Sequence, residues 1–178
     1  MKIINNKEYA IQELKRIATR TNSENNNKIN AIVEEILQEV KNYGDIAVGK
    51  YTRKFDGFNP DPMQVSKEEL KDAWNEIDSS LKRSLELAHK RVKKFHEKEI
   101  PSSFTIKGEH GDKVQRRWRP VKNAGIYIPG GRAAYPSTVL MNAIPAKVAG
   151  VEEIIMVSPG NKEGKINKTV LAAAHLSG

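Results

Sequence analysis

Residues 124–157 read AGIYIPGGRAAYPSTVLMNAIPAKVAGVEEIIMV, and this stretch changes its hydrophobic period twice in succession. Residues 124–128 are a short apolar run rich in β-favouring side chains, closed by Pro129, Gly130 and Gly131, which cannot continue a strand. Beyond that loop Pro136 stands where the first turn of a helix tolerates a missing N–H. Val139, Leu140, Ala143, Ile144 and Val148 then recur at helical spacing, so a helix is expected from residue 135 or 136 to 149. Gly150 supplies a stop, and residues 151–157 return to an apolar run ended by Ser158, Pro159 and Gly160. Strand, helix and strand in this order form a βαβ unit.

A βαβ crossover is expected to bury both strands in a parallel sheet. It also aims the first loop, residues 129–135, at the carboxyl ends of the strands, where open α/β sheets bind their ligands. Two glycines permit close backbone approach, and the helix N-terminus that follows offers unpaired N–H groups to an anion. The spacing is neither G-x-G-x-x-G nor a P-loop, so on the residues alone a ligand loop and a tight packing turn stand level.

The chain has 178 residues, enough for one or two domains with a real core. It lacks cysteine, which excludes a disulfide scaffold and any thiolate metal site and fits a reducing cytoplasm. There is no apolar run long enough to span a bilayer and no signal-peptide core, so a cytoplasmic location without membrane association is expected. Lys and Arg number 30 against 22 Asp and Glu, a net charge of +8 that attracts phosphates and acidic cofactors without choosing among them.

Residues 6–20 carry Tyr9, Ala10, Leu14, Ile17 and Ala18 on one side of an amphipathic helix, followed by the polar linker NSENNN at 22–27. A clearer helix spans 29–42 and ends at Gly44, and Asp45 can cap a short helix to residue 55. Residues 63–65 suggest a short strand. Ser66 and Glu69 fit a capping box at the start of the next helix. Asp78, Ser79 and Ser80 break that helix and cap another, whose apolar positions are Leu81, Leu85, Ala88, Val92 and Phe95. Its other faces are basic, with Lys82, Arg83, Lys90, Arg91, Lys93 and Lys94. No aromatic is interleaved there, and Glu86 and Glu97 dilute the charge, so a solvated face is expected in place of a nucleic-acid surface. Residues 105–119 read as a hairpin around a polar turn at 108–112, and residues 166–176 as a final apolar helix.

Several of these words are shared with one enzyme family. GIYIPGGRAAYPSTVLMNAIPAKVAGV at 125–151 closely resembles the signature that opens the nucleotide-fold-like domain of histidinol dehydrogenases. VEEILQEVKNYGDIAVGKYTRKFDG at 33–57 is similar to that family's N-terminal helix-and-turn segment, and Trp118-Arg119-Pro120 to its approach to the glycine loop. The resemblance implies an α/β fold, with a helix-rich N-terminal segment followed by the β-α-β-α start of an incomplete Rossmann-like parallel-sheet domain. In domain terms it implies an N-terminal helix and linker over 1–25, a helix-rich part with a hairpin over 26–122, and the first half of the nucleotide-fold-like domain over 123–178.

It further implies oxidation of L-histidinol to L-histidine in two NAD-dependent steps, with NAD and zinc as cofactors and a homodimeric assembly in which terminal segments pack across subunits. The family's NAD-contacting tyrosine matches Tyr127, with Pro129, Gly130 and Gly131 shaping the loop beside it and Arg132 able to add a charge near a pyrophosphate. The catalytic Glu-His pair and the zinc ligands are expected beyond Gly178, where the next strand should begin. Indeed His89 and His96 lie seven residues apart on one helix, about 10 Å along its axis, too far for one zinc. His110 falls in a polar turn and His175 on an apolar helix. Two other readings stay open: a non-catalytic dinucleotide-binding or interaction module, and, less favoured, a basic nucleic-acid binder.

Overall fold

The structure is a computed structural model that describes residues 3–18, 24–58, 61–130, 133–161 and 163–178. By packing, the chain divides into two compact units, Met1–Phe55 and Asp56–Gly178.

The first unit is helical, with α1 at Lys7–Ala18, α2 at Glu24–Tyr43 and α3 at Asp45–Asp56. Asn6 opens α1, its side-chain oxygen accepting from the Tyr9 N–H at 3.0 Å. Of the linker expected over 22–27, residues 22 and 23 lie outside the described residues, and residues 24–27 belong to α2. A helix, once nucleated, extends one residue at a time at little cost, even through asparagines. Gly44, at φ 54°, turns the chain between α2 and α3. Ala47 and Tyr51 of α3 are buried, while Lys50 Nζ reaches back to the Glu39 carboxylate at 2.6 and 2.9 Å.

In the second unit α4 (Lys67–Glu76) starts with the expected capping box: the Ser66 hydroxyl accepts from the Glu69 N–H at 3.1 Å, and Glu69 Oε2 accepts from the Ser66 N–H at 2.9 Å. Asp78 caps α5 (Ser79–His96), accepting from Ser80 and Leu81 at 2.8 and 3.0 Å. Residues 63–65 form no strand; Met63 and Gln64 lie in a bend, and no strand among the described residues pairs with them. The hairpin is present, with β1 (Phe104–Lys107) antiparallel to β2 (Lys113–Arg116) and every one of its side chains exposed.

The βαβα segment follows the reading of the sequence closely: β3 at Asn123–Tyr127, α6 at Pro136–Ala149, β4 at Glu153–Val157 and α7 at Lys168–Ser177. The strands are parallel, Gly125 facing Ile155 and Tyr127 facing Val157. Gly150 closes α6 at φ 89°, its N–H bonded to the Lys147 carbonyl. The core joins Ile128 with Val139, Leu140 and Ile144 of α6, Val170, Ala172 and Ala173 of α7, Leu85 of α5 and Ile77, with Ile126, Met156 and Trp74 packed around it. The helices at 67–96 therefore share a core with the βαβ unit. Phe95, expected in the apolar stripe of α5, is exposed because it lies in the last turn, beyond the reach of that core.

The expectation that both strand faces are buried is overturned. Burial alternates along β3 and β4, leaving Tyr127 64%, Ile155 53% and Val157 55% exposed, because α6 and α7 both lie on the face of Ile126 and Met156. One-sided burial has a measurable signature. Leu140→Ala, at 1% exposure, is expected to lower unfolding free energy by about 2–5 kcal/mol. Ile155→Lys should change it by no more than about 0.5 kcal/mol. Denaturant titration of the two variants checks this, and a large loss at Ile155 would mean that its face is covered.

Candidate functional site

Two loops leave the carboxyl ends of β3 and β4, and between them lies a cleft of about 250 Å³. Pro129, Gly130, Ala133 and Ala134 form one wall. Ser158, Pro159, Asn161 and Lys165 form the other, and Asn167, Lys168 and Val170 at the start of α7 close the end. The cleft falls short of the roughly 300–1,000 Å³ of pockets that enclose a whole small ligand.

Gly130 has a steric reason for being glycine. A Cβ there would sit 2.7 Å from both the Pro159 Cγ and the Pro159 carbonyl oxygen, so the two loops touch at this point. The close approach that the sequence suggested for a ligand is made by the protein's own next loop. Opposite, Asn161 organises residues 161–165: its Oδ1 accepts from Glu163 and Lys165 N–H groups at 3.0 and 2.8 Å, and its backbone N–H bonds to the Lys165 carbonyl at 2.8 Å. Asn167 then caps α7, accepting from the Thr169 N–H at 2.9 Å. The N-terminus of α6 is different, because Tyr135 makes no side-chain cap bond and Pro136 carries no N–H. Lys168 is held in an ion pair with Glu76, whose carboxylate is kept below its ordinary range mainly by that hydrogen bond.

Of the residues named from the sequence, Pro129 and Gly130 line the cleft together. Tyr127 does not. It ends β3 with its side chain on the uncovered sheet face, away from Ile126 and the core. Gly131 and Arg132 lie outside the described residues. The second wall was not singled out from the sequence, where Ser158, Pro159 and Gly160 read only as the end of a strand. A signal was present in the Gly160-to-Gly164 spacing around Asn161, a polar turn of the kind that builds βα loops.

The histidines are dispersed. His96 pairs with Glu99 at the end of α5, and His175 of α7 lies 6.3 Å from the Trp74 ring. His89 is half-buried on α5. Burial first, and then Lys93 and Lys147, push its pKa below the ordinary value, so the neutral imidazole is favoured. Among the described residues no three His, Cys, Asp or Glu side chains come together as a metal site. Among them also, no helix is long and apolar enough to cross a membrane.

The comparisons with known proteins agree with one another. The family model for histidinol dehydrogenase matches residues 19–178. A curated histidinol dehydrogenase of Prochlorococcus marinus (strain MIT 9312) is 89% identical over all 178 residues, which cover 40% of that protein. One of Gloeobacter violaceus (strain ATCC 29082 / PCC 7421) is 46% identical across the whole chain, again covering 40% of its own length. Among solved structures, histidinol dehydrogenase from Elizabethkingia anophelis superposes with a TM-score of 0.78 at 35% identity, over 84% of this chain and 35% of that one. The chain thus spans about 40% of the length of the curated relatives it matches and corresponds to their N-terminal portion. With its α/β architecture and glycine loop at the strand ends, this chain belongs to the histidinol dehydrogenase family.

Proposed function

We infer that this chain supplies the dinucleotide-facing part of an enzyme that oxidises L-histidinol to L-histidine in two NAD-dependent steps, working in the cytoplasm as a homodimer. The observation that carries this reading is the cleft between the βα loops at the carboxyl ends of β3 and β4, in a chain of this family. Pro129 and Gly130 shape that cleft, and Lys165 adds positive charge at its mouth. We place Gly131 on the same loop as a further contact. Tyr127 stands just before the loop with an exposed ring, a surface suited to lying against a nicotinamide or adenine while its hydroxyl meets a ribose or phosphate.

When bound, NAD would accept the hydride; this chain's share is to hold and orient it and to fix where its loop begins. Zinc does not fit the described residues, which bring no three His, Cys, Asp or Glu side chains together. We assign the zinc ligands and the acid–base pair to parts of the enzyme outside these 178 residues. We also keep the boundary near 122–123, taking residues 1–25 as a helix and linker, 26–122 as the helix-rich part and 123–178 as the start of the nucleotide-fold-like domain.

The purified chain alone is expected to produce no NADH from L-histidinol and NAD+, because the acid–base pair is assigned to residues outside it. Absorbance of NADH checks this, and turnover would place the catalytic groups within residues 1–178. Calorimetric titration with NAD+ tests the cofactor reading. Replacing Tyr127 by Ala should weaken binding by roughly 1–3 kcal/mol, the range for a stacked and hydrogen-bonded aromatic, and Phe should lose less. Since Tyr127 is 64% exposed, its loss should leave the thermal midpoint nearly unchanged. Unaltered NAD+ affinity in Tyr127→Ala would remove that residue from the site.

A further inference from the structure

The second wall of the cleft is held from behind by a residue far away in sequence. Phe58 follows Gly57, whose φ of 81° turns the chain as it leaves α3, and its half-buried ring lies against the turn after β4. Both glycines of that turn are shaped to it. A Cβ on Gly164 would meet Phe58 Cδ2 at 2.9 Å, and Cε2 and Cγ at 3.3 Å. One on Gly160 would meet Phe58 Cζ at 3.0 Å and the backbone of Gly164 at 2.8 Å. Distances this short leave no room for a methyl group, so the ring packs closely against both glycines. Gly164 is also at φ 76°, a conformation that favours glycine.

The contacts form a continuous chain. Phe58 packs on Gly160 and Gly164; these bracket Asn161, whose four hydrogen bonds close the turn; the turn carries Pro159; and Pro159 touches Gly130 on the opposite wall. Phe58 does not itself line the cleft. Among its described residues the loop has no strand or helix of its own between Val157 and Lys168, so its position depends on what it packs against. Pro159 is pressed between the glycine loop on one side and a turn backed by the Phe58 ring on the other.

We propose that Phe58 is a positioning residue for the dinucleotide site: its ring sets the place of the 158–165 loop, and through Pro159 the width of the cleft against Gly130. The proposal rests on the reading of this cleft as a cofactor site, and its structural half can be tested apart from that reading. A hydrophobic pad behind a loop acts by preorganisation. Without it the loop samples several positions, and the ligand must then select the competent one at a cost in apparent affinity.

The experiment uses the full chain, labelled for amide NMR, in wild-type form and as Phe58→Ala and Phe58→Leu. In Phe58→Ala the amide signals of Gly160, Asn161, Gly164 and Lys165 should move, and with them those of Gly130 and Ala133 on the far wall. Ala73 in α4 and Ala172 in α7, which lie in the helical packing, should stay in place. NAD+ affinity should fall several-fold. Phe58→Leu, keeping apolar bulk, should show the same pattern at reduced size, and it carries the test should Phe58→Ala not fold. Signals at Gly130 and Ala133 that do not move in either variant would overturn the coupling between the walls. Moved signals with unchanged NAD+ affinity would overturn the positioning role. A wild-type chain that binds no NAD+ would sink the cofactor reading, while the amide shifts would still decide whether Phe58 sets the cleft.

Discussion

The second unit depends on α7 fitting closely between α4 and α6. Ala172 and Ala173 are fully buried, Ala73 of α4 and Ala143 of α6 nearly so, and these small side chains let three helix backbones draw together where larger ones would hold them apart. Val139, Leu140, Ile144 and Val170 then fill the layer above the strands, with Ile128 completing it from the end of β3. The density of that layer gives the core its worth, since each buried aliphatic side chain contributes about 1.5–3 kcal/mol over its exposed state. Caps at Ser66, Asp78 and Asn167 fix where the helices begin and so the register in which they meet.

With α6 and α7 on the same side of β3 and β4, the loops that lead into them emerge next to each other at the carboxyl ends of the strands. They approach until Gly130 meets Pro159, and the space left between them is the cleft. The helices thus hold the site by bringing the two loops to one place. Tyr127, Ile155 and Val157, on the exposed face of the sheet, do not line the cleft.

The local signals in the sequence carried most of this. The change of period across residues 124–157 located β3, α6 and β4 to within a residue or two, because helix and strand spacing impose different alternations on the same apolar side chains. The capping box at Ser66 and the Asp78 cap were equally legible, being decided within four residues. What was not legible depended on partners distant in sequence. The apolar run 151–157 reads as buried on both faces, yet which face receives cover depends on where α6 and α7 dock, and Ile155 and Val157 are left outside. Residues 63–65 have strand-like composition but no strand to pair with. At the site, the glycine loop was recognisable as a loop, while the reason for Gly130 lay 29 positions away in Pro159. Phe58 carries no motif at all, and only the packing of its ring on Gly160 and Gly164 connects it with the cleft.

The contact on which the cleft rests can be observed directly. In the isotope-labelled chain without ligand, nuclear Overhauser effects between the Gly130 α-protons and the Pro159 ring protons report whether the two loops meet. The geometry requires them, since Pro159 Cγ lies only 2.7 Å from where a Gly130 Cβ would be. Strong cross-peaks between these two residues are the expected result. Their absence, in a chain whose α6 and α7 core contacts are intact, would mean that the loops stand apart and that the cleft is not built as described.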